Sequence, residues 1–458
     1  MSDENNFKTI SGSICAPRGF KAAAVFCDIK KLGTGKGSEK GQKRDLALII
    51  SDVPAAVAGM FTTNQVCAAP VKISAPRAAK DFARVIVVNS GNANACTGKR
   101  GMRDAQAMAR MAANFVAALY ERRKNSIRPT VTDRRYRRIS AANVLVCSTG
   151  RIGVPMPMKN VERGIRECAL LISRSTTSAR QVADAIMTSD TRRKEIAVEF
   201  EVGRSTIRIG GICKGAGMIQ PGMTRSGARH ATMLAFITSD AAIESNALKC
   251  VLEAAVAQSF NRITVDGDMS TNDSVIMLAN GLAGNPRIEN RESKFEVFQC
   301  ALNFVALELA KMIVRDGEGT TRFITLHVHG ARNAREAEAA ARAIANSALV
   351  KTSWCGGDPN WGRILCALGY STAKVEESIV DVGYSRAGEG EIAFAFRQGQ
   401  PANISLQKLA KIASTREFDL HVDLHLGRSE FVLYGSDLTE NYVAFNKGDV
   451  SDPTTLGG

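Results

Sequence analysis

Apolar residues recur along the chain in two alternating rhythms. DLALII (45–50), RVIVVN (84–89) and NVLVCS (143–148) are short and almost continuously apolar, which predicts strands buried on both faces. Between the last two, Met102 to Tyr120 sets Ala, Met and Phe at three- and four-residue spacing and predicts a helix packed along one stripe. EIAVEFEV and STIRIGGI, separated by Gly203-Arg204, predict a β-hairpin. Further helices are predicted over 244–258, 293–312 and 334–347, with strands near 391–397, 417–426 and 429–435. Strands interspersed with helices exclude a repeat protein and predict an α/β or α+β enzyme.

Composition bounds this picture. A chain of 458 residues, 45% of them hydrophobic, can build two or three domains with sizeable cores at roughly 100–200 residues each. Apolar runs such as Val85 to Val88 and Met233 to Ile237 fall far short of the ~20 residues of a bilayer span, so no membrane span is expected. MSDENNFKTI at the N-terminus is acidic and polar, unlike a secretory signal, which makes the cytoplasm the expected location. The 11 cysteines are scattered without a C-x-x-C pair and predict reduced, buried thiols. Histidine occurs only 5 times; the pairs His327/His329 and His421/His425 are too few ligands for a structural zinc, and no metal site is expected.

Charge changes the picture at one place. The chain carries 60 Lys+Arg against 45 Asp+Glu, and ERRKNSIRPTVTDRRYRR (121–138) supplies +6 of the net +15. A single tyrosine is interleaved in that run and no nucleic-acid motif surrounds it, so it reads as a solvated surface insertion and nucleic acid is not an expected partner. LGTGKGSEKGQK (32–43) resembles a phosphate loop only superficially. Lys30 stands where the first glycine belongs, and Gly37 follows Lys36 where Ser or Thr belongs, so a polar loop is predicted.

The candidate chemistry lies where Gly, Asn, Ser and Thr follow apolar strands. VVNSGNANACTG (87–98) intersperses small residues with Asn89, Asn92 and Asn94, a composition suited to close backbone approach and amide hydrogen bonding. VLVCSTGRIG (144–153) ends a strand in Ser148-Thr149-Gly150, where a hydroxyl and a backbone N–H could stabilise an oxyanion. From Lys214 to Asp240, a loop rich in Gly and Pro precedes Thr232, which opens an apolar stretch of strand character. Were the Ala231–Thr232 peptide cut, Thr232 would hold a hydroxyl beside its own α-amine, a nucleophile and a base of pKa about 8 in one residue.

These segments, with SFNRITVDGD and STNDS (259–274), RDGEGTT (315–321) and DPNWGRIL (358–365), resemble in sequence and order the ornithine acetyltransferase family, the bifunctional glutamate N-acetyltransferase/amino-acid acetyltransferases of arginine biosynthesis. The resemblance runs from about residue 11 to the C-terminus. It implies a layered helix/sheet/sheet/helix core of the self-cleaving N-terminal-threonine type, with a smaller C-terminal α/β domain. It implies a cut between Ala231 and Thr232 that leaves an α chain, 1–231, and a β chain, 232–458, assembled as an α2β2 heterotetramer. Matched onto this sequence, the nucleophile falls on Thr232 and the oxyanion hole on Thr149 and Gly150. Substrate-binding positions fall on Thr188, Lys214, Thr232, Glu318, Asn446 and Ser451, with Thr454 and Thr455 as alternatives to the last.

The implied reaction is ping-pong. Thr232 takes the acetyl group of N2-acetylornithine, ornithine leaves, and glutamate receives the acetyl group; acetyl-CoA is a further donor in bifunctional members, and no cofactor is implied. Lys214 suits a carboxylate and Glu318 an ammonium group. The chain departs from the family pattern in TRSGARH (224–230) between Met223 and Ala231, in Gly222 and Met269, in the basic run and in a longer tail. Two other readings stand beside the acetyltransferase: an aminopeptidase or amidase of the same fold, and a noncatalytic relative using the basic run.

Overall fold

A computed structural model describes residues 7–30, 43–124, 139–225, 233–290 and 293–447, without the side chains of 122–124. One sheet contains β1 (Phe7–Thr9), β2 (Phe20–Val25), β3 (Leu46–Phe61), β4 (Phe82–Asn92), β5 (Val144–Arg151), β6 (Lys194–Val202), β7 (Ser205–Lys214), β8 (Leu234–Ser239) and, after the short β9 (Ile263–Thr264) of the second sheet, β10 (Ser274–Ala279). Its order is β1-β6-β7-β8-β10-β3-β4-β5, with β2 also on β3.

The long strand β3 explains why one hydrogen-bonded sheet makes two layers. Its ladder with β4 shifts register between Ile50 and Ala55, at a segment containing Pro54, which cannot donate to a ladder. Before the shift β3 pairs with β2 and β4; after it, with β4 only at Ala55 and Ala56, and with β10 from Ala56 to Phe61. Alternation then assigns the faces. Ala47, Ile49, Val57 and Phe61 of β3 meet Ile86, Leu145, Leu234, Phe236 and Ile276 in a core between the layers. Leu48 and Ile50 face outward onto Met108 and Val116 of the helix Gly98–Lys124 and Ile165 of the helix Met158–Leu171. Ala58 and Met60 face the opposite outer core, where Val251 and Leu252 of the helix Ser245–Gln258 and Leu302, Val305 and Leu309 of the helix Ser293–Arg315 pack. The order is therefore helix, sheet, sheet, helix. A fully buried Phe236 or Leu309 contributes about 1.5–3 kcal/mol apiece by leaving water.

The second sheet comprises β9, β11 (Phe323–Ala331), β12 (Asp381–Arg386), β13 (Ala393–Arg397), β14 (Gln400–Pro401), β15 (Glu417–Asp423) and β16 (Ser429–Ser436), in the order β14-β13-β12-β15-β11-β16-β9. Leu326, Val328, Leu420 and Val422 cover the helices Ala334–Asn346 and Trp361–Gly369 in a separate core. Asn360 of DPNWGRIL caps the second of these helices by accepting from the Arg363 N–H at 3.2 Å.

Most predicted elements are present. The Gly203-Arg204 hairpin forms with Glu195 opposite Ile212, and Gly203 at φ +65° makes its turn. The helices at Ser245–Gln258, Ser293–Arg315 and Ala334–Asn346 lie within three residues of their predicted ends. Two details add to the expectations. The helix Ser293–Arg315 has the length and apolarity of a membrane span although charged and polar residues interrupt its apolar runs; Phe298, Leu302, Val305 and Leu309 bury that apolarity against the sheet. All eleven cysteines are free as expected, yet Cys96, Cys300 and Cys366 are exposed, the last two on helices whose other faces are buried. Nearly all of the basic run and of the polar loop 32–43 lies outside the described residues.

Candidate active site

Two glycines bring the ends of β4 and β5 together. Gly91 and Gly150 are cross-strand partners, both in the left-handed region at φ +100° and +124°. A Cβ on Gly150 would stand 2.4 Å from the Gly91 carbonyl carbon, and one on Gly91 would stand 2.9 Å from the Lys30 backbone. Only glycine allows this approach. The asparagines of 87–98 secure it as their composition suggested. Asn89 Nδ2 donates to Asn92 O at 2.8 Å, and Asn92 Nδ2 to Val154 O at 3.0 Å. Ser148 Oγ donates to Asn89 Oδ1 at 2.6 Å. From STNDS, Asn272 Nδ2 donates to Ala93 O at 2.6 Å and Ser148 O at 2.8 Å, so three segments lock the backbone next to Thr149.

Lys214, the last residue of β7, points its ammonium at this strand end. Nζ donates to Thr188 Oγ1 at 2.7 Å and to Thr149 Oγ1 at 3.3 Å, and Lys214 and Thr149 are each 3% exposed. Burial lowers the Lys214 pKa from the usual lysine value, while Asp190, Asp273 and Glu318 pull it back up and Lys194 adds to the fall. Glu318 closes the other side. Its N–H donates to Ala216 O at 2.9 Å, its carboxylate occupies the space that a Cβ on Gly217 would need, and Asn446 Nδ2 donates to Glu318 Oε2 at 2.9 Å. Thr149, Gly150, Thr188, Lys214, Glu318 and Asn446, spread over 298 positions of sequence from Thr149 to Asn446, are thus drawn to one end of the first sheet. The arrangement offers hydroxyl and ammonium donors on one side and a carboxylate on the other, the polarity that an α-carboxylate and a side-chain ammonium of one amino acid require.

Ala231, Thr232 and Ser451 lie outside the described residues. Met233, covalently next to Thr232, is fixed by the Ser274 N–H, which donates to Met233 O at 2.9 Å as β10 runs parallel to β8.

Four residues to which neither motif nor resemblance gave a role also build this site. Asp190 accepts from the Thr188 N–H at 3.0 Å and the Gly215 N–H at 2.7 Å. Lys194 Nζ bonds Asp190 Oδ1 and Asp316 Oδ2, each at 2.5 Å. Burial raises the Asp190 pKa, but Lys194, Lys214 and the Gly215 N–H outweigh it and hold the carboxyl well below the usual range. Asp273, wholly buried in STNDS, has no hydrogen-bond partner for either oxygen among the described residues. Burial raises its pKa well above the carboxylate range, against the pull of Lys214. Asp273 and Asp316 fall inside segments that the sequence singled out, and Asp190 lies two residues after Thr188; Lys194, one strand residue among many, carried no signal.

The histidine pairs take up other partners. His327 and His421 stack at 4.9 Å on adjacent strands, His421 Nε2 meets Ser385 Oγ at 2.9 Å, and His425 Nε2 meets Asp381 at 3.0 Å. Among the described residues no three His, Cys, Asp or Glu side chains converge as metal ligands.

Known proteins match almost the whole chain. The Arginine biosynthesis bifunctional protein ArgJ of Symbiobacterium thermophilum is 44% identical over 437 residues, 95% of this chain and 98% of its own. The protein of the same name from Geobacter sulfurreducens is 43% identical over 431 residues, 94% and 98% of the two chains. The Glutamate N-acetyltransferase of Methanocaldococcus jannaschii is 44% identical over 444 residues, 96% and 98%. With the family model matched from residue 22 to 448 as well, the chain belongs to the ArgJ family.

Proposed function

We propose that the chain is an acyltransferase of arginine biosynthesis that carries the acetyl group of N2-acetyl-L-ornithine to L-glutamate through an acetyl ester on Thr232. The observation that carries this reading is the Lys214 ammonium between the hydroxyls of Thr149 and Thr188, with the Glu318 carboxylate on the far side of the 214–217 loop. The chain first cuts itself between Ala231 and Thr232, giving an α chain of 1–231 and a β chain of 232–458 that remain together as α2β2 in the cytoplasm.

In the first half-reaction the Thr232 hydroxyl oxygen attacks the acetyl carbonyl carbon and its proton passes to the Thr232 α-amine. Thr149 Oγ1 and the Gly150 N–H stabilise the oxyanion. The amide C–N bond then breaks, and the proton held by the α-amine passes to the departing ornithine nitrogen. In the second, the glutamate amine attacks the ester carbon, the C–O bond breaks, and Thr232 recovers its proton. Lys214 and Thr188 receive the α-carboxylate of either amino acid, Glu318 with Asn446 receives the ornithine ammonium, and Ser451 completes that end. Acetyl-CoA serves as a further donor, and no cofactor is required.

Intact mass under denaturing conditions, beside acetyl transfer by the purified protein, tests the reading. Two chains with Thr232 as the new N-terminus, glutamate-dependent release of ornithine, and a single uncut, inactive chain in Thr232→Ala are expected. An uncut chain of 49.1 kDa without transfer overturns the mechanism, and acetate release without glutamate points to an amidase instead.

A further inference from the structure

Lys194 sits at the start of β6 with its ammonium fully enclosed, its side chain 1% exposed between the carboxylates of Asp190 and Asp316. Neither partner is an isolated acid. Asp190 holds the backbone N–H of Thr188 and of Gly215, and so fixes both sides of the Lys214–Thr188 bond. Asp316 follows the helix Ser293–Arg315, accepts the N–H of Thr191 at 3.1 Å together with its hydroxyl, and stands two residues before Glu318. One ammonium therefore connects the mount of Lys214 and Thr188 to the mount of Glu318. Taking three charges out of water costs more than their attraction returns unless the geometry serves a specific arrangement. Here the Thr188 and Gly215 N–H groups tie Asp190 to the Lys214 end of the pocket, while the Thr191 N–H and hydroxyl, with Arg192 Nε at 3.4 Å, hold Asp316 near the Glu318 end.

We infer that the Asp190–Lys194–Asp316 bridge positions Lys214 and Thr188 against Glu318 and thereby fixes the length of the amino-acid donor that the enzyme accepts. This inference rests on the acetyl-transfer reading. Lys194 touches no reacting atom; it acts through Asp190 and Asp316 and is a positioning residue. If the bridge is a length gauge, loosening it weakens donor binding and discrimination between chain lengths more than it slows the acetyl step.

The test compares N2-acetylornithine with N2-acetyl-2,4-diaminobutyrate, one methylene shorter, in the wild type, Lys194→Met, Lys194→Arg and Thr191→Ala. Lys194→Met is expected to raise KM for N2-acetylornithine about tenfold, with kcat falling less than about threefold, and to narrow the kcat/KM ratio between the two donors by about tenfold. Lys194→Arg restores part of the ratio. Thr191→Ala removes only a hydroxyl at the exposed end of the bridge and shifts the ratio the same way by a smaller factor, so the inference stays open to refutation if Lys194→Met does not fold. A folded Lys194→Met, or a Thr191→Ala, with the wild-type ratio overturns the gauge, as does a loss in Lys194→Met that falls mainly on kcat, with KM unchanged for both donors. Absence of transfer in the wild type overturns the functional reading instead.

Discussion

Lys214 and Thr188, 26 residues apart, are joined by a 2.7 Å hydrogen bond from ammonium to hydroxyl, and Lys214 spends its second donor on Thr149. Both acceptors are neutral. Among the described residues no carboxylate is in direct hydrogen-bond contact with this buried ammonium, which leaves it able to take the carboxylate of an incoming amino acid.

That state makes donor binding pH-dependent. Burial lowers the Lys214 pKa, so the ammonium loses its proton at a lower pH than an ordinary lysine at about 10.4. KM for N2-acetylornithine should therefore rise with pH on an alkaline limb displaced to the acid side of that value. Lys214→Arg, which stays charged, should flatten the limb; an identical limb in the variant would exclude Lys214 as its source.

Glu318 is expected to act on the other end of the donor. Glu318→Gln keeps the shape and the contact to Asn446 but removes the charge, and a charge-assisted hydrogen bond contributes about 1.5–3 kcal/mol, or roughly 10- to 150-fold in kcat/KM. The loss should be smaller for a donor lacking the side-chain ammonium. Equal losses for both donors would remove Glu318 from ammonium recognition.

Gly150→Ala should disable the enzyme. The new methyl would stand 2.4 Å from the Gly91 backbone at φ +124°, and left-handed strain alone costs about 1–3 kcal/mol. A lowered melting temperature together with lost activity is expected; a variant as stable and active as the wild type would show that β4 and β5 part easily.

Asp273 predicts the opposite sign. Its folded pKa is raised, so the cost of its charge is absent below the unfolded value of about 3.9 and grows as pH rises toward the folded one. Asp273→Asn should thus melt higher than the wild type at pH 8 and differ less at pH 5. If activity falls while stability rises, the carboxyl is retained for chemistry; if the variant melts lower at pH 8, the carboxyl has a stabilising partner.

The hairpin of β6 and β7 was legible because period-2 alternation and Gly203 are both local signals. β3 was legible only to Ile50, since Asp52 and Pro54 resemble punctuation and the bend they mark needs the partner strands to be seen. The helix Ala69–Ala78, with Pro70 in its first turn and Pro76 inside it, breaks the usual composition and is carried by burial of Val71 and Ile73. At the site, Thr149 and Gly150 were legible as a polar strand end able to hold an oxyanion, whereas Thr188, Glu318, Asn446 and the role of Lys214 were reached through family resemblance and not through spacing. Lys194 was invisible because Asp316 lies 122 residues away, and an ion pair of that span leaves no pattern in sequence.

The order of the first sheet interlaces the two halves of the gene product. β8 and β10 follow residue 232, yet they lie between β7 and β3, which precede it. A cut before Thr232 would leave two polypeptides, each with raw strand edges where the other had been, and such edges invite aggregation. Assembly while the halves share one backbone would be a first-order event independent of concentration, and would keep those edges covered throughout. Scission, as proposed, would act as a ratchet: it would remove the tether only after the tether had served, and a molecule denatured afterwards would have to find its other half by collision.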